Sequence, residues 1–217
     1  MTAVVADRHL RVEGPIHRGT PPGFPGPLRP LGRVDLEAAE AAARALLDAV
    51  GADLAEEDLA DTPRRVAAAY AELLTPLPFS PTTFPNDEGY DELVVARSIP
   101  FHSLCRHHLL PFVGVAHVGY LPGGRILGLS KLARVVELFA RDLQTQERLT
   151  GQVAGWLQEQ LEPRGVGVVV DAEHLCMTVR GVQAPGVRTV TSALRGLVRD
   201  DPRTRAEFLA LATTMRG

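Results

Sequence analysis

Cysteine occurs only twice in the 217 residues, and each copy stands beside histidine. Cys105 falls in Phe101-His102-Ser103-Leu104-Cys105-Arg106-His107-His108, and Cys176 closes His174-Leu175-Cys176, 71 residues further on. Thiolate sulfur and imidazole nitrogen are ligands that zinc takes. Cys105 and His108 stand three apart, a spacing at which one turn can aim both at a single ion. If His174-Leu175-Cys176 is extended, residues 174 and 176 project from the same face, because side chains alternate along a strand. One divalent ion can then take Cys105, His108 and Cys176, leaving His107 and His174 beside it but unligated. Three protein ligands leave a fourth position open for water, the catalytic arrangement, whereas closed structural sites use four. Thiolates favour zinc among the common divalent ions. Composition alone also allows two buried free cysteines among satisfied histidines, or a disulfide, which a reducing compartment disfavours. The pairing of both cysteines with histidine favours the metal.

A second stretch, Gly128-Leu129-Ser130-Lys131-Leu132-Ala133-Arg134, offers anion chemistry. Ser130 is a candidate N-cap, and the free N–H groups of a helix N-terminus attract anions. Lys131 and Arg134 share a helix face and suit phosphate, or form an ordinary solvated face. Gln146-Glu147 opens the following helix. An amide and a carboxylate there can read a purine edge, although acidic residues in a first turn commonly just offset the helix dipole. Arg65 and Arg180 carry no local signal.

These groups need elements to position them. Asp35 is a good N-cap for a helix with Leu36, Ala39, Ala43, Leu46, Leu47 and Val50 at helical spacing, ended by Gly51. Thr62-Pro63 opens a second helix, with Thr62 as N-cap, and Pro76 and Pro78 stop it. The segment 74–92 reads as loop. ELVVARSIPF and VGVAHVGYLP read as strands joined by the Cys/His stretch. Two helices follow, from Ser130 to about 142 and from about 146 to 161. GVGVVVDAEH, MTVRGV and VRTVTSALRG then read as strands, and Asp201-Pro202 opens a last helix. Segregated strands and helices with tight turns between neighbours predict an α+β fold.

Composition sets outer bounds. Charged residues make up 23% and the net charge is −3, so no bulk electrostatic case exists for nucleic acid or an anionic membrane. No apolar run approaches the roughly 18–20 residues of a membrane span, and the first residues have no apolar core of a secretory signal. The plain expectation is a cytoplasmic protein. Residues 1–33, rich in proline and glycine, are expected to be a mobile arm before a single catalytic domain at 34–217.

DTPRRVAAAY, FHSLCRHHLLPFVGVAHVGYLP, GLSKLARVVELFA, QERLT, DAEHLCMTVRGV and TVTSALRG together resemble the GTP cyclohydrolase I family, in order and spacing, over about residues 35–215. The resemblance implies a tunnelling fold, in which antiparallel sheets from several subunits close into a barrel with helices outside. It implies a homodecamer with active sites between subunits. It places zinc on Cys105, His108 and Cys176, proton handling on His107 and His174, and triphosphate contacts on Ser130, Lys131, Arg134 and Arg180, with Arg65 from a neighbouring subunit. Guanine recognition falls on Gln146 and Glu147. The implied reaction opens the guanine imidazole ring of GTP hydrolytically, releases formate and, with Ser130 assisting ribose opening, rearranges the remainder to 7,8-dihydroneopterin triphosphate. Arg106 departs from the pattern, since the family usually has glutamate there. That exchange keeps two rivals in play: a paralogue that takes a modified purine nucleotide or stops at ring opening, and a non-catalytic nucleotide-binding subunit.

Overall fold

The computed structural model describes residues 34–78 and 80–213, and the proline- and glycine-rich stretch 1–33 lies outside them. The chain begins with a helical hairpin, α1 (Leu36–Ala49) and α2 (Thr62–Leu74). Asp35 caps α1 as its sequence predicts, its carboxylate accepting the Ala38 N–H at 2.9 Å. Asp61, not Thr62, is the N-cap of α2, and its carboxylate is bound to Arg64 instead of capping the backbone. Leu36, Leu46 and Val50 are each more than half exposed, so α1 and its C-cap present apolar side chains that the other described residues leave open.

The segment read as loop contains β1 (Thr83–Pro85), which pairs antiparallel with β4 (Arg125–Leu127). Between them run the long strands β2 (Val94–Cys105) and β3 (Pro111–Leu121). After α3 (Leu129–Ala140) come a two-residue strand β5 (Leu143–Gln144), α4 (Gln146–Leu161) and β6 (Gly165–His174). The chain ends with a short helix α5 (Leu175–Thr178), β7 (Arg188–Arg195), and helices α6 (Gly196–Asp200) and α7 (Pro202–Thr213). The main sheet runs β5-β2-β3-β6-β7, antiparallel except for the short β2–β5 contact. The α+β expectation holds.

Helices α3 and α4 cover one face of this sheet with Leu132, Val135, Val136, Leu149, Val153 and Leu157, all essentially buried. The other face receives α7. Gly119 and Gly167 pair directly across β3 and β6, and the hollow they leave holds the fully buried ring of Phe208. A Cβ on Gly167 would come within 2.6 Å of that ring. Gly167→Ala is therefore expected to lower stability by about 1–3 kcal/mol through overpacking, measured as a shift in the urea midpoint, with little change at the residues of the metal centre.

Strand β2 carries a bulge. Val94, Val95 and Ala96 pair with Tyr120, Gly119 and Val118, but Ile99 pairs with Ala116, so β2 spends one extra residue there. Ser98 sits in the bulge with φ +54. Before it, Val95 packs on the Phe208 side; after it, Phe101 meets Phe112 edge to face at 5.9 Å on the other side. The bulge exchanges the faces to which odd-numbered residues point.

One expectation fails. MTVRGV is not a strand: β6 stops at His174, Leu175–Thr178 is a single helical turn, and β7 begins only at Arg188. The Thr178 hydroxyl contacts Glu173 Oε1 and His174 O, both at 3.1 Å, and Gly181, Gln183 and Gly186 all take positive φ. Local side-chain bonding and left-handed residues override the strand preference of a β-branched run. His174 and Cys176 thus belong to different elements.

Candidate metal centre

Cys105 is the last residue of β2 and is buried. Its N–H donates to Leu110 O at 2.9 Å, and its carbonyl accepts the N–H groups of His108 and Leu109 at 3.2 and 2.8 Å. This closed turn carries His107 and His108 out of the strand. It is pinned twice more: the Arg106 N–H donates to Gln144 O at 3.0 Å, and the Tyr70 hydroxyl of α2 reaches Leu109 O at 3.1 Å. Leu109 has φ +56, a region that costs a leucine backbone energy and persists where the surroundings hold it. On the opposite side, Glu173 Oε1 takes the Thr178 hydroxyl and the Gly186 N–H, fixing the loop that presents Cys176.

The two segments converge. Among the described residues, Cys105, His108 and Cys176 offer ligand atoms that all lie within 4.8 Å of one another. Cys105 Sγ is 3.6 Å from His108 Nδ1 and 3.9 Å from Cys176 Sγ. With zinc–sulfur and zinc–nitrogen bonds of about 2.3 and 2.05 Å, the edges of a tetrahedron are about 3.8 Å between sulfurs and 3.6 Å from sulfur to nitrogen. Both spacings match, and the third, between His108 and Cys176, is no more than 4.8 Å, so these side chains can close on a divalent ion. His107 Nδ1 lies 3.8 Å from Cys105 Sγ but outside the cluster.

Burial, and next the neighbouring Cys105, push the Cys176 thiol upward, with Arg180 pulling weakly the other way. Binding of Cys176 as thiolate therefore displaces a proton that it holds firmly in the metal-free site. Zinc affinity is expected to fall as pH drops, by as much as about 100-fold per pH unit where two thiols are protonated. Competition with a chromophoric chelator between pH 6 and 8 checks the slope; a pH-independent affinity would exclude a two-thiolate site.

His174 closes β6 and stacks flat on Phe112, with ring centroids 4.6 Å apart and planes 4° from parallel. Its Nε2 lies 2.8 Å from Gln146 Oε1. Burial pushes its pKa below the ordinary histidine value, and Glu147 pulls it up. Glu147 is exposed, whereas Gln146 is buried.

The anion-binding candidates do not form one cluster with the ligands. Ser130 is exposed in the first turn of α3, where Gly128 is the cap, so its expected capping role is not realised. Ser130 and Arg134 line a cavity of about 690 Å³ together with His102 and Glu137, and none of the three candidate ligands lines it. Arg134 contacts Glu137 at 2.9 Å. Arg65 contacts Asp61 at 3.7 Å and Asp58 O at 3.3 Å, and Arg180 is exposed near Cys176. The sequence reading missed Tyr70 and Glu173, because one holds a backbone carbonyl and the other a hydroxyl and a backbone N–H of the loops around the site, which leaves no motif. It passed over His102 as a mere neighbour of the cysteine. Arg106 is exposed.

Comparison with known proteins gives one result. A family described as GTP cyclohydrolase I matches residues 39–213. A protein named GTP cyclohydrolase 1 from Mycobacteroides abscessus is 56% identical over 188 residues, covering 84% of this chain and 92% of its own. One of the same name from Bacillus mycoides is 49% identical, covering 85% of this chain and 100% of its own. A solved archaeosine synthase QueF-Like, in the apo form, overlays 54% of this chain and 97% of its own at 18% identity with TM-score 0.37, too slight a likeness to argue from. No helix among the described residues is long and apolar enough to cross a membrane.

Proposed function

The chain belongs to the GTP cyclohydrolase I family, and on that premise we propose that it converts GTP to 7,8-dihydroneopterin triphosphate and formate at a zinc centre held by Cys105, His108 and Cys176. The observation that carries the metal assignment is the meeting of two sulfurs and one imidazole, from segments 71 residues apart, within 4.8 Å of one another and with both spacings from Cys105 those of a tetrahedral zinc site. Zinc held by three protein ligands supplies Lewis-acid activation of water against purine C8, a poor electrophile.

The chain's own residues do the rest. His107 and His174 move protons to and from the ring nitrogen and the opening ribose, the latter with Ser130. General acid–base work of this kind contributes about 10²–10⁴-fold. Lys131, Arg134, Arg180 and Arg65 hold the triphosphate. Glu147, exposed close to His174, reads the guanine edge together with the backbone at Gln146.

That Ser130 and Arg134 line a cavity to which none of the three candidate ligands contributes supports a site completed between copies, with the triphosphate of one active site held by a neighbouring subunit. The open apolar side chains of α1 and the exposed edge of β7 suit the same arrangement, a tunnelling-fold homodecamer whose sheets close into a barrel. Arg106, exposed and outside the metal cluster, leaves the ligand set intact.

Purified protein incubated with GTP and zinc, then oxidised and dephosphorylated, is expected to yield fluorescent neopterin. A formamidopyrimidine product alone would mark chemistry stalled at ring opening. No product from protein carrying about one zinc per chain would overturn the assignment of activity.

A further inference from the structure

Gln146 is 1% exposed, and every polar atom of its side chain is engaged. Nε2 donates to Val170 O at 3.0 Å and Thr189 O at 2.8 Å, and lies 3.2 Å from Thr191 Oγ1. Backbone carbonyls only accept. Reversing the amide would set Oε1 against two carbonyl oxygens, so chemistry leaves a single orientation. Oε1, which has no hydrogen to give, then faces His174 Nε2 at 2.8 Å, and the hydrogen between them must belong to the imidazole. A neutral imidazole carries one N–H, so Nδ1 holds the lone pair. The ring cannot readily turn over, which would set Cε1 in place of Nε2 against the amide oxygen, because it lies flat on Phe112, itself fully buried. The network behind the amide is tied down as well: the Thr150 hydroxyl donates to Gln146 O at 2.7 Å and lies 2.7 Å from Thr191 Oγ1.

We infer that Gln146 is a positioning residue: it holds His174 as the Nε2–H tautomer, so that Nδ1 is the nitrogen through which His174 exchanges a proton with the substrate. The inference deepens the proposed function and rests on it for the proton-transfer half. A proton accepted at Nδ1 gives an imidazolium whose Nε2–H still donates to Gln146; returning it from Nδ1 restores the same tautomer. No proton passes to the carboxamide. This role differs from reading guanine, for which the side chain has neither an exposed surface nor a free polar atom.

Two measurements test it. The first is solid-state ¹⁵N NMR of the zinc-loaded, full-length protein with labelled histidine rings, His174 being assigned by difference from His174→Ala. A protonated Nε2 with an unprotonated Nδ1 is expected. A proton on Nδ1 of the neutral ring would overturn the inference while leaving the cyclohydrolase assignment untouched. The second is Gln146→Met, similar in length but unable to accept a hydrogen bond. Its kcat is expected to fall by about two orders of magnitude, with KM for GTP within about threefold and zinc content unchanged. A raised KM with kcat preserved would mean that Gln146 reads the base, and would also overturn the inference. Wild-type protein without cyclohydrolase activity would refute the proposed function and the proton-transfer half with it; the tautomer is read independently of turnover.

Discussion

Cys176→Ala emerges from dialysis without its metal and turns GTP over at least about three orders of magnitude more slowly than the wild type. The expectation follows from where Cys176 sits. Its sulfur is one of three candidate ligands, and the two that remain, Cys105 and His108, come from a single turn. Removing the thiolate deletes a ligand, a negative charge and the link between the two segments together. The fold should tolerate the change. The turn that carries Cys176 is held by the Thr178 hydroxyl on His174 O and by Glu173 on Thr178 and Gly186, none of which involves the sulfur. Elemental analysis of the dialysed protein, beside circular dichroism to confirm folding, makes the measurement. Full zinc retention by folded Cys176→Ala would end the ligand assignment.

His174→Ala should behave in the opposite way: it keeps its zinc and loses turnover by about 10²–10⁴-fold. His174 immediately precedes the helical turn of Cys176, as its N-cap, and lies outside the cluster of close ligand atoms. Truncation removes the stack on Phe112 and strands Gln146 Oε1, a buried acceptor, at a cost of about 1–3 kcal/mol. Assays therefore belong well below the unfolding temperature, with zinc stoichiometry measured on the same sample. Loss of metal from folded His174→Ala would show that the imidazole is a ligand, and that the site is not the one described.

The two substitutions also mark how far the sequence could be read. The ligand set was legible because cysteine is scarce and both copies neighbour histidine, so few other groupings were available. The long strands and α3 and α4 were legible because their apolar residues repeat at strand or helix period. The turn at Leu175–Thr178 was not. It depends on Thr178 and Glu173 bonding to groups four to five residues away, which no periodicity reports. The β1–β4 pair escaped for a related reason: three residues including Pro85, paired only through a partner some forty residues away, look like loop. Gln146 was misleading in a more useful way. A polar residue in the first turn of a helix is ordinarily a surface residue. Its burial is decided by Val170 and Thr189, 24 and 43 positions along the chain, through the packing of α4 on the sheet.

The extra residue near Ser98 reaches further than its own strand. Counting along β2 from the register before the bulge, position 105 would fall on the side of Gly119 and Phe208. With the added residue it falls on the side of Phe112 and His174. Whether the first sulfur can meet the second is thus a question of odd or even, settled seven residues upstream by one amino acid that touches no metal. Deleting Ser98 would leave both cysteines in the chain and turn one of them to the wrong side of the sheet.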